Sequence, residues 1–287
     1  MNVKFIYNPA AGRGRASRHH AAAERHLRAL GADVDAHASS SPADMTRAAA
    51  EASRGPYDRV IVSGGDGTIH LAVREFDLAR GTLALVPQGS GDDFAKVLGI
   101  PRDVRAACAL ALHGKPREVD VAVANSIRYL GVAGLGFDSE VARYANENVR
   151  FLRGSLVYLY AIIRVLPRFT PHRVTINEAR NEEIMFATVG NSRQYGGGIR
   201  IVPDALIDDG QLDVCIVHRT SRMQLLKTLP QAYTGKHVKS PFVETGRGTS
   251  FRFDSERPMD VYADGERITA TPVTFGLAGE KLRIVAP

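Results

Sequence analysis

Five-residue apolar runs, each stopped by a turn signal, set the pattern of the first third of the chain. Val3 to Tyr7 ends at Asn8-Pro9, Arg59 to Ser63 runs into Gly64-Gly65, and Thr82 to Val86 ends at Pro87; Val34 to Ala38, between the first two, is read as a further strand. Short runs bounded in this way predict buried strands. Between them, Ser17 to Leu30 is rich in Ala, Arg, Glu and Leu with Gly31 as its C-cap, and Pro42 to Ala52 opens on Ser41 as N-cap. Both stretches predict helices. Strands alternating with helices predict a parallel sheet with helices on its faces. Ligands in such sheets bind at the carboxyl ends of the strands, and the loops after Tyr7, Ser63 and Val86 all lie at that edge.

After about Val119 the pattern changes. Short β-like runs occur at Arg128 to Val132, Arg173 to Ile176, Met185 to Gly190, Leu212 to Val217, Ser250 to Phe253, Met259 to Ala263 and Val273 to Leu277. Gly-, Pro- and Asp-rich turns separate them, which predicts an antiparallel sandwich or barrel. Helices are expected at Leu156 to Leu166 and Arg222 to Tyr233. The predicted fold is an α/β domain with a parallel sheet over residues 1–122, followed by a C-terminal β-sandwich domain over 123–287. The extreme C-terminus is free to return to the first domain, and a cleft is expected between the two.

Composition narrows the class. With 287 residues, 44% hydrophobic and 24% charged, the chain has an ordinary globular balance. Cys108 and Cys215 are far apart in apolar runs, the pattern of reduced core residues in a cytosolic protein. The N-terminal apolar run is too short for the core of a signal peptide, so none is expected there, and the longest apolar stretch falls short of the ~20 residues a membrane span needs. A net charge of +6 favours anionic partners. No basic patch interleaved with aromatics appears, so nucleic acid is not expected among them. Arg150, Arg153, Arg164 and Arg168 frame the apolar stretch from Leu156 to Leu166, which reads as a core-packed helix with contact to an anionic bilayer as the alternative. His19, His20 and His113 have no partners at metal spacing and read as surface residues.

Three loops carry candidate chemistry. In Gly64-Gly65-Asp66-Gly67-Thr68, glycines allow positive φ and close approach to a ligand, and successive N–H groups form an anion nest. A helix starting from Thr68 would add its N-terminus, and Asp66 could orient a hydrated Mg²⁺. Pro87-Gln88-Gly89-Ser90-Gly91-Asp92-Asp93-Phe94 again mixes glycines with a hydroxyl and carboxylates; Ser90 suits either a phosphate or a helix cap. The turn Asn8-Pro9-Ala10-Ala11-Gly12, followed by Arg13 and Arg15, is the third.

In order and spacing these loops resemble the bacterial soluble lipid kinases of the diacylglycerol-kinase catalytic family. The resemblance continues through Gly134-Leu135-Gly136-Phe137-Asp138, Gly196-Gly197-Gly198, Pro203-Asp204-Ala205, Asp208-Asp209-Gly210 and Asp264-Gly265-Glu266. It implies a fold like that of the diacylglycerol kinases and NAD kinases, with ATP and Mg²⁺ bound between the domains. Asn8, Pro9, Gly12, Ser39, Gly64, Gly65, Asp66, Gly67, Thr68, Ile69, His70, Gly89 and Ser90 inherit the nucleotide-binding role. Asp264 inherits the general base that accepts a proton from the lipid hydroxyl. Asp209, with the main-chain carbonyls of Leu206 and Gln211, inherits a structural Mg²⁺ site.

The implied enzyme phosphorylates diacylglycerol or a similar lipid hydroxyl, working as a cytoplasmic protein peripheral to a membrane. A sphingoid base or another small alcohol is the alternative acceptor. The chain departs from the family pattern at His70-Leu71, where Asn-Glu is usual, and at Asp92, where Asn is usual. Those departures leave open a nucleotide-binding regulatory protein with little catalysis. As hairpin candidates, Asp264-Gly265 and Asp209-Gly210 also read as plain turns. A homodimer through an edge strand of the β-rich domain is left open.

Overall fold

The computed structural model describes residues 1–9, 16–149, 152 and 155–287. The chain divides into two compact units, Met1–Val121 with Gly279–Pro287, and Ala122–Ala278.

In the first unit β1 (Asn2–Tyr7), α1 (Ala16–Ala29), β2 (Asp33–Ala38), α2 (Pro42–Arg54), β3 (Arg59–Gly64) and α3 (Asp66–Val73) follow one another. After them come β4 (Thr82–Pro87), α4 (Asp93–Val97), α5 (Val104–His113) and β5 (Lys115–Val119). The sheet order is β2-β1-β3-β4, continued by a strand from the chain's far end and then β5. The four leading strands are parallel, as the alternation of strand and helix predicts. Val60 to Val62 and Leu83 to Val86 are buried along their whole length, the signature of parallel strands covered on both faces. Fully buried side chains such as Phe5, Ile61 and Leu83 contribute roughly 1.5–3 kcal/mol each to the core.

Local chemistry sets the helix ends. The Ser41 hydroxyl accepts the Asp44 N–H at 3.1 Å, and Pro42 occupies the first turn, where its missing N–H costs nothing. Asp103 does the same for α5 through the Ala106 N–H at 2.8 Å. That helix, unpredicted from sequence, buries Ala107, Cys108, Ala111 and Leu112 against the sheet.

The second unit contains β6 (Ala122–Ala124), β7 (Ile127–Tyr129), β8 (Val132–Gly136), α6 (Phe137–Asn148), α7 (Ser155–Val165), β9 (His172–Ile176) and β10 (Arg180–Gly190). It continues with β11 (Leu212–His218), α8 (Arg222–Ala232), β12 (Val243–Gly248), β13 (Phe251–Ser255), β14 (Asp260–Ala263), β15 (Glu266–Ala270) and β16 (Val273–Leu277). The last strand, β17 (Leu282–Ala286), is the one that rejoins the first unit, parallel to β4 and antiparallel to β5.

Among the described residues all strand pairings in the second unit are antiparallel. Strand β10 makes the sandwich-like fold possible: its first half pairs with β9, its second half with β8, and its register with β11 shifts between Ile184 and Phe186. A shift of this kind bends a strand and increases its twist. Tyr129, Phe253 and Phe275 fill the interior with edge-on ring contacts, and α6, α7 and α8 cover a second cluster around Ile162, Met185 and Cys215. Both cysteines are buried free thiols.

One predicted strand is corrected. Arg128 to Val132 is not continuous: β7 stops at Tyr129 and β8 begins at Val132. The N–H groups of Leu130, Gly131 and Val132 leave the ladder to bond a side-chain carboxylate.

Candidate active site

The parallel register brings the first unit's loops together. Tyr7 lies beside Ser63, and Gly64 beside Pro87. Beyond these pairs, Asn8 N–H donates to Ser63 O at 3.3 Å and Gln88 N–H to Gly64 O at 2.8 Å. Ser39 is tied in as well, its N–H and hydroxyl both donating to Tyr7 O at 2.9 and 3.2 Å. Pro9 is exposed, while Ala10, Ala11, Gly12, Arg13 and Arg15 lie outside the described residues.

The glycines work through their size. Gly64, Gly65 and Gly67 do not take positive φ, which corrects the expectation from sequence. A Cβ on Gly64 would stand 2.5 Å from the Thr68 side chain, and one on Gly89 would stand 2.6 Å from Gly65 Cα. The two loops therefore touch backbone to backbone. Helix α3 starts two residues earlier than the sequence suggests, at Asp66, with Gly65 as N-cap. The Thr68 N–H closes the first turn on Gly65 O at 2.9 Å, and the N–H groups of Gly65 to Gly67 before it stand at the helix start, an arrangement suited to an anion. Ile69 and His70 are buried within the unit, and the Ile69 N–H already donates to Gly65 O at 3.1 Å. Ser90 is exposed and is not the helix cap; Asp92 holds that position for α4.

Asp66 Oδ1 accepts the Phe94 N–H at 3.2 Å. Burial first, and the neighbouring Asp93 second, push its carboxyl up to about 6. Carboxylates gathered at this edge lower its affinity for anions unless a cation accompanies the ligand.

His20, expected at the surface, is 1% exposed. Its Nδ1 lies 3.1 Å from Ser63 Oγ and its Nε2 3.0 Å from Asn8 O, with the ring stacked on Tyr7 at 4.8 Å. Burial holds it below the usual imidazole range. His19 Nδ1 meets Gln88 Oε1 at 2.8 Å. Helix α1 thus reaches all three loops, a role that neither histidine's spacing in sequence reveals.

In the second unit Asp264 and Gly265 form the two-residue turn between β14 and β15, with φ of 51° and 89°. Paired left-handed residues are the hairpin geometry that Asp-Gly favours. The turn also carries a carboxylate with distant partners. Asp264 Oδ1 accepts the N–H groups of Gly131 and Val132 at 3.0 and 3.2 Å, and Oδ2 accepts that of Leu130 at 3.0 Å. A Cβ on Gly131 would stand 2.3 Å from Asp264 Oδ1. Gly131 O in turn accepts the N–H groups of Asn191 and Ser192. Sequence reading missed Leu130, Gly131, Asn191 and Ser192; the glycine inside an otherwise apolar run was the available signal.

Close by, Tyr195 donates to the Asp138 carboxylate. Burial raises that carboxyl to about 6, opposed by the tyrosine hydrogen bond. A Cβ on Gly134 would collide with Asp138 Oδ2 at 1.9 Å, which accounts for the glycine four residues before it. Gly196, Gly197 and Gly198 follow Tyr195 with φ of 60°, 85° and 110°. The Tyr158 ring borders Gly196, and its hydroxyl lies 3.9 Å from where a Cβ of Gly265 would be. Tyr158, the glycine turn and the Asp264 turn are therefore neighbours.

Asp209 pairs with Arg247 and accepts the Gln211 N–H at 3.1 Å on Oδ1, while Leu206 is 53% exposed. Arg247 Nε also reaches Asp213 Oδ1 at 3.2 Å, and buried Asp213 Oδ2 has no hydrogen-bond partner among the described residues. A single guanidinium serving two carboxylates leaves this corner short of positive charge, so its oxygens fit a hard cation. Elsewhere, Glu182, His218 and Glu244 come within ligating distance of one another. There the two imidazole nitrogens face different carboxylates, at 2.9 and 3.1 Å, and Arg180 bridges both acids. That geometry is a closed charge network, not a metal centre.

Comparison with known proteins agrees with this geometry. Residues 2–124 match the diacylglycerol kinase catalytic domain, and residues 131–286 match the YegS C-terminal NAD kinase beta sandwich-like domain. The chain belongs to the diacylglycerol-kinase family. Diacylglycerol kinase of Mycobacterium tuberculosis (strain ATCC 25618 / H37Rv) is 30% identical over 99% of this chain and 95% of its own length. That of Bacillus subtilis (strain 168) is 28% identical over 99% and 96%. A crystal structure of a candidate diacylglycerol kinase from Bacillus anthracis str. Sterne superposes with a TM-score of 0.81 at 26% identity, covering 100% of this chain and 97% of that one. The chain is accordingly a lipid kinase, a phosphotransferase with a nucleotide substrate and an implied divalent metal. Among the described residues no helix is long and apolar enough to cross a membrane.

Proposed function

We propose that this kinase transfers the γ-phosphate of ATP to the free hydroxyl of diacylglycerol, with Mg²⁺ accompanying the nucleotide. The observation that carries the reading is the edge where Gly65 and Gly89 meet backbone to backbone at the start of α3. Phosphate groups there receive main-chain N–H donors from Gly65 to Gly67, with Ser90 as a hydroxyl donor and Asn8 and Pro9 flanking them; Gly12 lies outside the described residues. Ser39 supports that turn through Tyr7. Mg²⁺ neutralises phosphate charge during transfer, and Asp66 is the carboxylate placed to orient its waters.

Asp264 is the general base. Its three amide bonds hold the carboxylate in one orientation, and a positioned acceptor near the attacking hydroxyl is what this step requires. The lipid hydroxyl loses its proton to Asp264 as its oxygen forms the new bond to phosphorus, and ADP leaves. Leu206 and Gln211, through their carbonyls, and Asp209, through its carboxylate, would hold a structural Mg²⁺, whose charge would offset that of buried Asp213.

The acceptor reaches the enzyme at a membrane surface. Leu156, Leu159 and Ile163 stand 56%, 43% and 55% exposed along α7, and Arg164 and Arg168 follow them. The helix is therefore packed on one face and apolar toward solvent on the other, which revises the core-packed reading; Arg150 and Arg153 lie outside the described residues. An exposed apolar stripe with cations beside it suits an anionic bilayer. The same helix carries Tyr158 to the Asp264 turn.

The test is incubation with γ-labelled ATP and vesicles of phosphatidylglycerol containing diacylglycerol, sphingosine or neither. Labelled phosphatidic acid is the expected product. Label in sphingosine alone, or in no lipid, overturns the reading.

A further inference from the structure

Asp92 is 1% exposed, sits in the left-handed region at φ 52°, and occupies the N-cap of α4 without capping it. Its carboxylate turns back instead. Oδ1 accepts the Gly89 N–H at 2.7 Å, and Oδ2 lies 3.2 Å from Arg102 Nη2. The same guanidinium nitrogen donates to Gly89 O at 3.1 Å. One carboxylate and one cation thus hold both polar groups of Gly89, the residue whose missing side chain lets the second loop touch Gly65.

The surrounding charge makes the cation necessary. Asp92, Asp66 and Asp93 lie close enough that both neighbours raise the Asp66 carboxyl. Asp93 has Lys96 at 3.4 Å, and Asp92 has Arg102. Removing one partner of a pair whose other member is buried leaves an uncompensated charge, the costly way to break an ion pair. The next residue in the chain keeps Arg102 in position. Asp103 caps α5 through the Ala106 N–H, which fixes the backbone from which Arg102 projects. An asparagine at position 92 would keep an acceptor for the Gly89 N–H and would need no cation.

We propose that Asp92 and Arg102 form an ionic latch that sets the shape of the Gly89–Gly91 loop, making Arg102 a positioning residue for the nucleotide. The nucleotide part rests on the assignment of ATP to this edge. The latch couples two residues that the chemistry of phosphoryl transfer does not itself require. Its loss disturbs binding of the phosphates more than the chemical step.

The experiment combines steady-state kinetics for ATP with hydrogen–deuterium exchange of the 88–93 segment in the nucleotide-free protein, for wild type, Arg102→Ala, Asp92→Asn and the double variant. Arg102→Ala is expected to raise the KM for ATP about tenfold with kcat changed less than about threefold, and to speed exchange at the segment. Adding Asp92→Asn is expected to return both to near wild type, a rescue that a merely structural arginine would not show. Unchanged exchange in Arg102→Ala, or a double variant as impaired as Arg102→Ala, overturns the latch. Faster exchange with an unaltered KM for ATP supports the latch and overturns the assignment of nucleotide to this loop.

Discussion

At the strand edge of the first unit, Gly64, Gly65 and Gly89 keep ordinary backbone angles and matter for the side chains they lack. At the Asp264 turn of the second unit, Asp264 and Gly265 are themselves left-handed, and their conformation aims a carboxylate at three amides from a distant loop. The first arrangement is assembled by neighbouring parallel strands, whose pairing carries each loop to the same edge. The second is assembled across more than a hundred residues of chain, by a hairpin and a strand break that fit only each other. On the proposed function, the first arrangement is a phosphate cradle and the second a general base; a cradle needs many donors converging on one surface, which a sheet edge supplies. A general base needs one oxygen in one place, which demands a network around it.

The widest test of that contrast is Gly131→Ala. Its methyl group would stand 2.3 Å from Asp264 Oδ1, so the carboxylate has to leave its amides. We expect phosphoryl transfer to fall by about 100-fold or more, consistent with loss of a general base, and denaturant unfolding to show a cost of about 2–4 kcal/mol from the collision and the freed amides.

Asp138→Asn probes the same unit in the opposite direction. Folding raises this carboxyl from 3.8 to about 6, so the folded chain binds more protons than the unfolded one between those values. Stability of the wild type therefore falls as pH rises through that window and levels off above it. The asparagine keeps an acceptor for Tyr195 and removes the charge. Relative to wild type it gains nothing below pH 4 and about 2–3 kcal/mol by pH 7, measured by urea denaturation across pH.

For the first unit, Gly89→Ala would place a methyl group 2.6 Å from Gly65 Cα and equally close to Asp92 Oδ1. Parting the two loops is expected to weaken ATP binding about tenfold, or ~1.4 kcal/mol by calorimetry, with little loss of stability. Equal damage to folding and to binding would erase the distinction between the two regions.

These differences also set what the sequence reveals. The strand ends at Tyr7, Gly64 and Pro87, the Ser41-Pro42 helix start and the Asp264-Gly265 turn are each encoded within a few residues, and each is legible. The break at Leu130 to Val132 is not, because a run of apolar residues carries no sign that its amides bond a carboxylate more than 130 positions away. His20 misleads for the same reason: its partners are Asn8 O and Ser63 Oγ, and neither lies at a spacing that marks a histidine. Helix α6 hides behind Gly134 and Gly136, glycines required for close approach to Asp138 and to the Met185 carbonyl and easily read as a loop. The smallest expected effect belongs to the most local signal. Ser41→Ala removes one cap bond and should cost about 1 kcal/mol in thermal unfolding, with lipid phosphorylation unchanged.

Asp264→Asn tests the central claim most directly. The amide keeps the size of the side chain but turns a donor toward one of the N–H groups that now bond the carboxylate, so folding is to be verified first by circular dichroism. With folded protein, diacylglycerol phosphorylation is predicted to fall by about 100-fold or more while ATP binding, measured by calorimetry, stays within about threefold of wild type. A variant that folds, binds ATP and turns over lipid within a few-fold of wild type would contradict the assignment of Asp264 as the base.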